Sequence, residues 1–163
     1  MTEHIRLQAL KKLCELLETE TGLQVFRGRQ VVGTDIKMPF LVINETIRSG
    51  DTIQAAHRTL RNDRTDFLLS GYIDMKDVKH PIDVAYQYVM AIEKAFNKIQ
   101  AIKQCNGNPV YKEWYNVGGL ITNFNYLAPV CHNPPDEAQS KVYFYFYFSF
   151  NVAYDSSDPS LKC

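Results

Sequence analysis

From Val142 to Ala153 the chain changes character at every residue. Val142, Phe144, Phe146, Phe148, Phe150 and Val152 make one set, and Tyr143, Tyr145, Tyr147, Ser149, Asn151 and Ala153 interleave with them. A period of two is the side-chain period of a β-strand, so Lys141 to Tyr154 can only be a strand with phenylalanine on one face and tyrosine on the other. At 3.3 Å per residue it would reach roughly 45 Å, well past the usual strand, and part of it is expected to project beyond a helix-covered sheet. The phenylalanine face reads as core. The rings of Tyr143, Tyr145 and Tyr147 would leave an exposed amphipathic patch, unless they meet another subunit or pack as a second core layer.

The segments before this strand supply its partners. Gly119 to Val130 reads as a strand, and the turn-rich stretch Cys131 to Ser140 joins it to the last one as a long C-terminal β-hairpin over 119–154. Phe40 to Ile47, introduced by Pro39, and Asp66 to Asp74 are two more strands expected to pair, with Phe67, Leu69 and Ile73 on one face. Leu23 to Arg29 also begins strand-like. Two helices flank these strands. The first runs from a Thr2 cap to Thr21 with Ile5, Ala9, Leu10, Leu13, Leu16 and Leu17 in one stripe, Leu7 and Cys14 at its edge, and Gly22 as its stop. The second opens on Pro81, carries Ile82, Ala85, Tyr88, Val89, Ile92, Ala95, Phe96 and Ile99 in a stripe, and is expected to stop at Asn106-Gly107. Tyr86 and Met90 fall on its otherwise polar back, either as a contact surface or as scattered surface apolar residues. The fold class is therefore α+β: one mixed or antiparallel sheet, a long amphipathic helix and an N-terminal helix packed on it, and the long hairpin.

With 163 residues, 45% of them apolar and 22% charged, the chain fits a single domain over 1–163. Eighteen basic residues balance eighteen acidic ones, so no net field draws the molecule to nucleic acid or acidic lipid. No apolar run approaches a membrane span and the first 21 residues lack a signal-peptide pattern, which predicts a soluble protein made in the cytoplasm. Cys14, Cys105, Cys131 and Cys163 are too scattered for a paired metal or redox motif and read as free thiols. Gly28 to Thr34 has a phosphate loop's glycine spacing without its lysine. Cys131-His132 lacks two further ligands, since His4, His57 and His80 sit in unrelated segments. Asp74, Asp77 and Asp83 cluster near a strand-to-helix junction, where capping and solvation account for them. No catalytic residue, metal or cofactor is expected, and the chain reads as a non-enzyme.

One polar stretch stands apart. Arg48 to Arg64 is read as a 17-residue loop with Arg48, His57, Arg58, Arg61 and Arg64 against Asp51 and Asp63, a local formal charge of +2. Loops of that length are commonly functional or mobile. Its arginine forks suit a neighbouring subunit's carboxylates or a phosphate, and a solvated connection suits it equally.

The order of elements, with Asp66-Phe67-Leu68-Leu69-Ser70-Gly71-Tyr72-Ile73-Asp74, the Pro81 turn and the helix ending Ala91-Ile92-Glu93-Lys94-Ala95-Phe96, resembles the tail terminator proteins of long-tailed bacteriophages, the family that includes the lambda tail-completion protein U. The loop 48–64 and the connection from Gln104 to Gly118 look like elaborations on it. The resemblance implies a homohexameric ring in the virion, assembled in the host cytoplasm and sited at the head-tail junction. Such a ring binds the last ring of tail tube protein, ends tube growth, and meets a head-completion or connector protein on its other face. DNA passes through the lumen without sequence-specific binding, and no membrane is involved. Tyr143, Tyr145 and Tyr147 with Tyr86 and Met90 are then candidates for the two patches of a head-to-tail ring contact. A neck or head-completion protein would use a similar fold. A small cytoplasmic ligand-binding or enzymatic α/β domain, with a pocket between the long helix and the sheet, is the alternative of a different class.

Overall fold

The computed structural model describes residues 2–28, 37–46, 59–74, 79–132 and 141–162, with backbone alone at 132 and 141–143. In chain order the elements are α1 (Ile5–Thr21), β1 (Gln24–Arg27), β2 (Phe40–Glu45), β3 (Leu60–Asp74), α2 (Pro81–Gln100), β4 (Thr122–Tyr126), β5 (Val130–His132), β6 (Lys141–Asp155) and β7 (Asp158–Lys162). The seven strands form one sheet in the order β1-β2-β3-β6-β4, with β5 and β7 also paired to β6. Only β1 and β2 run parallel among these pairs, so the fold is α+β with a mixed sheet.

The alternating strand β6 is the axis of that sheet. Along one side it pairs antiparallel with β3 over its whole length, from Leu60↔Asp155 to Asp74↔Lys141. Its other side is shared by three short strands in succession: β5 at Tyr143 to Tyr145, β4 at Phe148 to Asn151, and β7 at Tyr154 and Asp155. The expected projection is therefore corrected, because the strand is long where two-sided pairing satisfies its backbone. The expected strand Gly119 to Val130 is likewise broken into β4 and β5. Asn116 to Gly119 instead forms a turn in which all four residues take positive φ, including the buried, β-branched Val117 at φ 54°. Such a backbone is costly for valine and is held by the core around it.

Both long helices pack on the phenylalanine face. Phe144, Phe146, Phe148, Phe150 and Val152 of β6 and Phe67 and Leu69 of β3 are buried there with Leu13, Leu16 and Leu17 of α1 and Val89, Ile92, Phe96 and Ile99 of α2. Phe96 is the hub, its ring centroid within 6 Å of Phe124, Tyr126, Phe146 and Phe148. Opposite Phe144 in the register stands Gly71, whose missing side chain makes room for that ring. The helices lie alongside each other, tied near their C-terminal ends by the Lys98–Glu20 ion pair.

Several boundaries differ from expectation. His4, not Thr2, caps α1, its Nδ1 accepting from the Arg6 amide at 3.1 Å. Gly22 stops α1 as expected, in the left-handed conformation at φ 70°. α2 ends at Gln100 on an extended Ala101, before Asn106-Gly107, which serves a later turn instead. Ile82 leaves the core stripe: at 100° per residue it lies nearer Tyr86 than Ala85, and it is 42% exposed. β3 begins at Leu60, so the polar stretch 48–64 gives up its last five residues to the sheet.

Candidate subunit-contact surface

The tyrosine face is the outer face of the sheet, turned away from both long helices. On it the Tyr145 and Tyr147 rings meet edge to face at 5.7 Å, with Tyr145 partly covered and Tyr147 45% exposed. Tyr143 occupies the register position opposite Tyr72, and its side chain lies outside the described residues. Ser149, two residues beyond Tyr147, is small and buried, and it opens a groove of about 350 Å³ beside the tyrosine. Arg64, Asp66, Asn125, Leu127, Tyr147 and Ser149 line it. Arg64 and Asp66 stand two residues apart on this face of β3 and form an ion pair at 3.0 Å.

Arginines expected to share one loop are thus separated by a strand's alternation. Arg64 faces outward into the groove. Arg61 sits opposite Tyr154 in the register on the helix-covered face, close enough for its charge to bear on the Tyr154 hydroxyl. Arg48, His57 and Arg58 lie outside the described residues. On the helix face the strand end carries a polar network. Tyr154 donates to Asp63 Oδ2 at 2.6 Å, Asp63 pairs with Arg6 at 3.7 Å, and the His4 ring packs on Tyr154. Burial, and then the hydrogen bond and negative charge of Asp63, push the Tyr154 hydroxyl above the ordinary tyrosine range. Burial likewise raises the thiols of Cys14 and Cys131. Neither holds the low-pKa thiolate that a nucleophile needs.

Across the sheet, the exposed flank of α2 carries Tyr86 at 55% and Met90 at 54% exposure, as expected, and the displaced Ile82 joins them at spacing i, i+4, i+8. Sequence reading missed this third member, because Ile82 fits the edge of the core stripe nearly as well. The groove was also missed. Its signal was present in Tyr147 followed by Ser149, a large residue beside a small one on one face, but only the register adds Arg64 and Asp66.

Among the described residues no three His, Cys, Asp or Glu side chains gather as a metal site, and no helix is long and apolar enough to cross a membrane. No family model matches the chain, and no curated protein does. One solved structure, 13% identical, aligns over 92% of this chain and 94% of its own at a TM-score of 0.48.

Proposed function

We propose that the chain is a structural protein of a long-tailed bacteriophage, acting as a ring that caps the tail tube and ends its elongation. The single observation that carries the reading is the pair of exposed apolar surfaces on opposite sides of the sheet, the Tyr147 groove and the Ile82-Tyr86-Met90 flank. Two unlike patches on one chain are what a head-to-tail contact requires, and such contacts close into rings when the rotation permits. A catalytic or ligand-binding role needs convergent polar groups in an enclosed pocket. The groove instead offers a pair of opposite charges at its rim and a large exposed ring, features suited to meeting another protein.

In this reading the ring is a homohexamer, its partners are tube protein on one face and a head-completion or connector protein on the other, and DNA crosses the lumen. It resides in the virion at the head-tail junction. Electron microscopy of particles made without the protein tests the proposal. Tails of uncontrolled length, or finished tails that never join heads, are expected. Tails of normal length arrested only at the neck would favour the connector role, and normal virions would exclude both.

A further inference from the structure

We infer that the two patches mate with each other, the Ile82-Tyr86-Met90 ridge of one copy seating in the Tyr147 groove of the next. The inference rests on the ring reading and names its contact. The ridge is convex and its three side chains span about 12 Å at 1.5 Å per residue, the pattern by which one helix flank enters a groove through i, i+4, i+8 anchors. The groove is concave, because buried Ser149 lies beside Tyr147, and its walls are Leu127 and Asn125. Aromatic side chains of this exposure are the usual energetic anchors of such contacts.

Charge selects a second copy as the occupant. The groove rim carries Arg64 and Asp66 side by side. The approach to the ridge carries exposed Lys79 and Asp83, four residues apart where the chain enters α2. Set against each other in opposite order, Arg64 meets Asp83 and Asp66 meets Lys79, whereas a reversed or shifted docking would oppose like charges. Both halves of the match are on one chain. The ridge belongs to the helix layer and the groove to the far face of the sheet, so a copy that fills its neighbour's groove still presents its own.

A head-to-tail contact has a signature that a symmetric one lacks. Tyr86→Glu with Met90→Glu destroys the ridge and leaves the groove, while Tyr147→Glu destroys the groove and leaves the ridge. Light-scattering mass is measured for each chain, and for an equimolar mixture, across a concentration series with no tube protein present. The wild type is expected to self-associate beyond its 18.8 kDa monomer. Each variant alone should be weakened about 30-fold or more, the loss of an interface hot spot. Mixed, they should form a one-to-one dimer and stop there, since one intact ridge meets one intact groove. A wild type that stays monomeric, variants that associate normally, or a mixture without dimer would each overturn the inference. A second arm guards against misfolding: Arg64→Glu should weaken association, and Asp83→Arg in the same chain should restore it. Failure to restore would overturn the charge pairing. Because tail length tests the capping role and solution mass tests the contact, the two can fail separately.

Discussion

At the residue scale, the two faces of β6 separate stability from assembly. Phe146 is fully buried against Phe96, and Phe146→Ala should cost about 3–5 kcal/mol, whereas Tyr147→Ser should leave the fold within about 1 kcal/mol. Equal losses for the two in denaturant melts would show Tyr147 to be core. Gly71→Ala tests the complementary constraint. A Cβ there would stand 2.1 Å from the Cζ tip of the Phe144 ring, which is fully buried and has nowhere to retreat, so a loss of about 1–3 kcal/mol is expected despite alanine's better strand entropy. Tyr154 predicts a pH dependence. Its hydroxyl titrates higher folded than unfolded, so its contribution is complete below about pH 10 and is lost as pH rises through the elevated folded value. Tyr154→Phe should therefore flatten the alkaline limb of stability against pH, while losing the Asp63 hydrogen bond at neutral pH. An unchanged alkaline limb would refute the assignment.

At the element scale, periodicity revealed what the apolar pattern controls. β6, β2, α1 and the body of α2 are legible because each buries a regular stripe or alternate face. The first half of β3 is not, because its helix-side residues Arg61, Asp63 and Thr65 are polar, with Asp63 held by Arg6 and Tyr154. β6 supplies a complete ladder opposite, and that overrides local propensity. β7, Asp158–Lys162, hides for a related reason: an edge strand containing Pro159 needs hydrogen bonds on one side only. The outward exposure of Tyr147 was legible, while the groove depends on a register that no single segment states. At the outer edge of the sheet, the Val25 amide points away from β2 and donates to Glu18 Oε1 of α1 at 3.1 Å. A helix side chain thereby occupies the position a foreign strand would use. Glu18→Ala should cost about 1 kcal/mol in denaturant melts, and Glu18→Gln, which keeps an acceptor, should recover much of it. Equal losses for both would mean that the carboxylate's charge, not its hydrogen bond, matters.

At the scale of the whole molecule, faces are left for association while one outward amide of the β1 edge is taken by Glu18, which favours stacked neighbours over a continuous sheet. The same design makes the molecule depend on pairings distant in sequence. Leu60 pairs with Asp155 and Asp74 with Lys141, and α2 lies between the partners along the chain. Contacts of that separation close late and slow folding. A chain ended after His132 lacks β6 and is expected to keep helical signal by circular dichroism but to lose a cooperative melt. A sharp two-state transition in that fragment would show that β6 is dispensable. The consequence reaches into synthesis. On the ribosome α1, β2, β3 and α2 all emerge before β6, whose Phe146, Phe148 and Phe150 stand beside Leu69 and Phe67 in the sheet, so the growing chain carries an apolar face and an unpaired β3 edge that only β6 completes. Until then the nascent protein is a client for chaperones, and pauses in translation upstream of Lys141 should expose it to proteases more than pauses beyond Asp155.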